Sequence, residues 1–154
     1  GGITLANQPV TLVFINPGST AGIEVRRITV SQSATAVSAQ QRVQLVTQVS
    51  TFPTLTSKTP AKTRISDPAA LITGGTAGAA GTAGINASAE GAGAKTVLHE
   101  DAFNNVFGWL WEPTSDEARI VLPPSGAQGF GLFFPVAAGT LTNWAFAVHY
   151  AELG

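Results

Sequence analysis

Apolar and polar residues alternate with a period of two along much of this chain, and no stretch sustains a helical period. The densest case is Phe103 to Pro113, FNNVFGWLWEP. Here Phe107, Trp109 and Trp111 fall on one face, with Val106, Gly108 and Leu110 on the other. The pattern predicts a strand over Val106 to Trp111, buried on at least one side, with Asn104-Asn105 before it as a turn or bulge. Segments able to cover it stand nearby at Ile120 to Leu122, Phe130 to Phe134 and Trp144 to Tyr150.

Toward the N-terminus, the apolar run Val10 to Ile15 is closed by Asn16-Pro17-Gly18-Ser19, a turn cluster that ends a first strand. Glu24 to Ser33 follows, with Ile28 and Val30 alternating with Arg27 and Thr29. Gln41 to Ser50 places Val43, Leu45, Thr47 and Val49 on one face and Arg42, Gln44, Val46 and Gln48 on the other. Residues 51 to 70 carry Pro53, Pro60 and Pro68, which forbid a helix and predict an extended crossing segment with a short strand near Thr63 to Ile65. Residues 71 to 94 are almost wholly Gly, Ala, Thr and Ser. They read either as a disordered tether or, better suited to so much alanine, as one long loop draped over a neighbouring surface with Ile85 as an anchor.

Strands at Thr96 to Phe103, Arg119 to Leu122, Gly129 to Pro135 and Asn143 to Leu153 complete the set, the last with Trp144, Phe146, Val148 and Tyr150 on one face. About eight strands at this spacing predict an all-β fold: a single antiparallel β-sandwich domain over residues 1 to 154, of jelly-roll type.

Composition adds a second expectation. The 154 residues are 44% hydrophobic but only 11% charged, against roughly 25% in ordinary globular proteins. So few charges predict that other subunits cover part of the surface, the alternative being a Thr/Ser/Gln/Asn-rich surface that keeps a monomer soluble. A net charge of −1 supplies no field for nucleic acid or anionic lipid, and no apolar run is long enough to cross a membrane. Cysteine is absent, which excludes disulfides, thiolate metal sites and cysteine nucleophiles. Methionine is absent even at position 1, so the chain is read as starting after processing or inside a longer gene product.

Candidate chemistry is sparse. His99 and Asp101 share a strand face and could converge, but a surface hydrogen bond is the plainer reading than a metal site. Gly91 to Thr96 has Ala94 where a phosphate loop needs glycine, with a strand predicted where that loop needs a helix. Asp116 and Glu117 beside Arg119 read as a solvated charge cluster, and only Glu112, just past the tryptophans, hints at glycoside chemistry. Trp109 and Trp111 could stack on sugar, although core packing suits their position better. No catalytic set, metal or cofactor is expected.

The order of elements carries a resemblance. Arg26-Arg27-Ile28-Thr29-Val30 and Val43-Gln44-Leu45-Val46 precede a crossing at Asp67-Pro68-Ala69-Ala70 and a small-residue loop. Then come a strand at His99-Glu100, Gly108-Trp109-Leu110-Trp111, an IVLPPSG block over residues 120 to 126, Gly131-Leu132-Phe133, and NWAFAVHYAE over residues 143 to 152. Across residues 20 to 153 this resembles the small jelly-roll capsid decoration, or cement, proteins of tailed bacteriophages. The resemblance implies a non-enzymatic homotrimer on the outer surface of a virion head, contacting the major capsid protein and clamping neighbouring capsomers. It departs from the family in its longer Gly/Ala segment. The aromatics exceed what one sandwich interior of this size needs, so Trp109, Trp111, Phe133, Phe134, Trp144 and Phe146, with Ile85, are the expected subunit or capsid interface. Alternatives are a receptor- or glycan-binding module of a virion tail or fibre, and a secreted carbohydrate-binding sandwich.

Overall fold

Seven consecutive buried residues form β1 (Val10–Asn16), an interior strand of the larger of two sheets. The computed structural model describes residues 2–34 and 37–154. The further strands are β2 (Gly22–Gln32), β3 (Gln40–Val49), β4 (Thr54–Ser57), β5 (Thr73–Gly74), β6 (Thr82–Ala89) and β7 (Lys95–Asn104). They continue with β8 (Trp109–Trp111), β9 (Ile120–Leu122), β10 (Gln128–Phe134) and β11 (Trp144–Leu153). A single 3-10 turn, Asp116–Ala118, is the one helical element among the described residues. Among the described residues no helix is long and apolar enough to cross a membrane.

The strands form two sheets packed face to face, as the alternation predicts. The larger has seven strands, ordered β4-β6-β1-β10-β3-β7, with β5 joined in parallel to β6. The smaller has four: β11 runs along one edge of β2, while β8 and β9 lie end to end along the other. The chain crosses between sheets from β1 to β2, β2 to β3, β7 to β8, β9 to β10 and β10 to β11, the wrapping of a jelly roll. Between the sheets, Ile23, Val25, Ile28 and Val30 of β2 meet Val43 and Leu45 of β3 and Phe130, Leu132 and Phe134 of β10, all at 1% exposure or less.

Three expectations need correction. The residues at Thr63 to Ile65 form a bend and turn, closed by the Asp67 N–H donating to the Arg64 carbonyl at 3.2 Å; the short strand is β4 instead, just past Pro53. The Gly/Ala segment is not one draped loop, because β5 and β6 lie within it and β6 is hydrogen-bonded between β4 and β1. Its small residues serve close approach: a Cβ on Gly84 would stand 2.6 Å from Leu55 Cβ and 2.9 Å from the Gly75 carbonyl oxygen. Ile85 sits opposite Val13 in the β1–β6 register, partly buried against the core.

The third correction concerns the aromatic stretch. Only Trp109 to Trp111 is strand, because Asn105 to Phe107 turns and Gly108 has φ +73°, a left-handed conformation suited to glycine. Phe107 therefore does not share a face with the tryptophans.

Candidate interaction surfaces

The aromatic residues expected at an interface are mostly interior to the single chain. Phe134 and Trp144 meet edge-on with ring centroids 5.1 Å apart, and Phe103 packs against both at 6.3 and 6.2 Å. Phe134 and Trp144 are fully buried, so neither presents surface to a partner, and Trp109 is 9% exposed. Trp111 and Phe146 are partly buried against the same core. Phe133, on the opposite side of β10 from Phe134, is half-buried beneath Lys95, whose Nζ lies 4.8 Å from its ring centroid. The chain's own two sheets thus account for most of the aromatic surplus.

His99 and Asp101 do converge, with Trp109 as their meeting point. The Trp109 indole N–H donates to Asp101 Oδ2 at 3.0 Å, and the His99 ring stacks on the indole at 6.3 Å. The Trp109 bond, the Ala102 amide and nearby His99 hold the Asp101 carboxyl below its usual range. No group of three or more His, Asp or Glu side chains placed to hold a metal occurs among the described residues. Glu112 pairs with Arg27 at 3.3 Å rather than facing a second carboxylate.

Surface apolar residues are found elsewhere, and two groups stand out. One is the turn between β7 and β8, which carries Val106 and Phe107, the latter 88% exposed. Its base is rigid. The buried Asn105 side chain donates to Gln32 Oε1 and the Val37 carbonyl and accepts from the Ala39 amide, at 2.8 to 3.0 Å. Asn104 Oδ1 accepts from the Val106 amide, and the Asn104 carbonyl accepts from those of Phe107 and Gly108. Phe107 is therefore an aromatic knob on a preordered turn.

The second group is the outer face of the small sheet. Side chains alternate, so with Ile28 and Val25 inward, the rungs Ala147–Thr29–Leu110 and Ala151–Glu24–Val121 point outward. Arg26 is an extra residue in β2 opposite the His149–Tyr150 step, a bulge that keeps both Val25 and Ile28 inward. The charges on this face are paired among themselves: Arg27 with Glu112, and Glu24 with Arg26 at 2.9 Å and Arg119 at 3.4 Å. What results is a face on which small and apolar side chains are interspersed with mutually paired charges.

Neither group was legible as a site beforehand, although Val25-Arg26-Arg27-Ile28 breaks the period of two and signals the bulge, and Asn104 with Gly108 brackets the turn. Comparison with protein-family models, curated proteins and solved structures finds no match.

Proposed function

We propose that this chain is a structural protein of the capsid-decoration type, a homotrimer on the outer surface of a phage head that binds the major capsid protein across capsomer seams. The observation that carries this reading is the outer face of the small sheet, where Leu110, Val121, Ala147 and Ala151 lie among charges that already neutralise one another. Burying Leu110, Val121, Ala147 and Ala151 against a sister subunit removes apolar surface from water, while the paired charges, costly to desolvate, suit the polar rim of such an interface. The Phe107 knob supports a second contact, since exposed aromatics on rigid turns are efficient anchors at low entropic cost. The role is mechanical: surface buried across a seam must be re-exposed before the shell can open. The glycan-binding reading draws less support, because Trp109 is buried and its N–H is taken by Asp101.

Sedimentation velocity and imaging of native particles test the proposal. The wild type is expected to sediment as three chains, Ala147→Glu as a monomer with unchanged circular dichroism, and shell-bound density is expected over capsomer seams. A wild type that stays monomeric at all concentrations, or a shell bare of this protein, sinks it.

A further inference from the structure

β11 is ten residues long and forms one edge of the small sheet, yet its sequence carries none of the lysines or prolines that commonly blunt such edges. The outward-facing backbone groups can be assigned. Trp144 exchanges both backbone bonds with Ile3, the Ile3 N–H donating at 2.7 Å and the Trp144 N–H at 3.1 Å, on the side away from β2. Alternation then directs the N–H and C=O of Phe146, Val148, Tyr150 and Glu152 to that same open side. None of them meets a backbone partner there among the described residues.

The crossing segment at residues 60–70 runs beside this edge without bonding to it, leaving an open groove of about 700 Å³, within the range of roughly 300–1,000 Å³ typical of ligand sites. Its far end is closed where Glu152 accepts from the amides of Leu71 and Ile72 at 2.8 and 3.0 Å. Arg26, Lys62 and Arg64 line the walls: Arg26 is paired with Glu24, Lys62 Nζ donates to the Asp67 carbonyl at 2.8 Å, and Arg64 has no ion-pair partner among the described residues; Asp67 and Glu152 are the opposing charges. Tyr150 also lines the groove, and its hydroxyl is buried with no hydrogen-bond partner among the described residues. Burial, then Glu152, pushes its pKa up, so it stays a protonated donor at neutral pH.

We propose that this groove binds an extended acidic peptide segment of a partner protein, added to β11 as a further strand. The Ile3–Trp144 bridge demonstrates that the edge accepts an extended chain. Beyond it, the backbone of Phe146 to Glu152 supplies affinity, and the cationic walls select for acidic side chains. A second copy of this chain fits poorly, because direct pairing of two β11 edges would have to displace the segment at 60–70. The inference is independent of the trimer and capsid reading.

Fluorescence polarisation tests it with labelled peptides of about six residues, a common strand length, alternating Val with Asp or Val with Lys. The Val/Asp peptide is expected to bind about ten-fold more tightly than Val/Lys, and Arg64→Glu, at an exposed position, to erase that preference. N-methylation of alternate peptide nitrogens should abolish binding. Amide exchange at Val148 and Tyr150 should slow in the complex. The proposal is overturned by absence of Val/Asp binding, by indifference to peptide charge or N-methylation, or by unchanged exchange at β11. Protection of β11 by self-association without peptide likewise overturns it in favour of a second copy.

Discussion

The indole N–H of Trp109 donates to Asp101 Oδ2 at 3.0 Å, tying the short strand β8 of the small sheet to the edge strand β7 of the large one. The bond joins a buried aromatic to an exposed carboxylate, so it can be weakened from solvent. Asp101→Ala leaves the indole donor without its partner and should cost about 1 kcal/mol, with Asp101→Asn costing less because it keeps an acceptor. In the folded protein the Asp101 carboxyl titrates below the ordinary aspartate range. Its ionised form therefore contributes stability fully above the unfolded value, and this is lost as pH falls through the folded value. Urea unfolding of wild type and Asp101→Asn between about pH 6 and pH 2 should give curves that converge at the acid end. Parallel curves would refute the assignment.

Glu90 reaches across to β1, accepting from the Thr11 amide and hydroxyl at 2.6 Å each and pairing with Lys95 at 3.2 Å. Thr11 is fully buried. Glu90→Ala strands both donors and is expected to destabilise the fold by about 2–4 kcal/mol in denaturant titration. Lys95→Ala removes only the ion pair and the contact above Phe133, at a cost of about 1 kcal/mol or less.

Placing β6 inside the large sheet makes Gly84 sensitive to size. Gly84→Val drives a branched side chain into Leu55 and the Gly75 carbonyl and should cost about 1–3 kcal/mol. Slow amide exchange across Ala83 to Ile85 is the companion observation. A neutral Gly84→Val with fast exchange would return the segment to an open loop.

Trp144 and Phe107 should separate stability from association. Trp144→Ala empties a fully buried site and should cost about 3–5 kcal/mol. Phe107→Ala should move the thermal midpoint little, with a stability change within about 0.5 kcal/mol, while weakening retention on capsids in co-sedimentation. The reverse pattern would mean that Phe107 is structural.

The strands legible in the sequence were those whose large side chains reveal their own burial. The continuous run of β1, the alternation of β3 and the aromatics of β10 and β11 all declare a covered face. β6 does not, because TAGINASA has one large apolar residue, and its place depends on Leu55 and the strands on either side. Phe107 misleads for another reason: the period of two runs unbroken through a turn, and Gly108 resets the phase without altering the pattern. Hydrophobicity states that Phe134 and Trp144 must be covered, but whether by the same chain or another is settled only by tertiary placement.

The order of the large sheet has a temporal consequence. β1 lies between β6 and β10, with Val13 opposite Ile85 and Val10 opposite Phe134. During synthesis this apolar strand emerges ahead of both neighbours, with four strands made between it and β6 and eight between it and β10. Folding must await closure of very long loops, which is slow, and the nascent segment is open to adventitious pairing in the interval. A sheet wired in this way is set up to mature late, with any assembly following its completion.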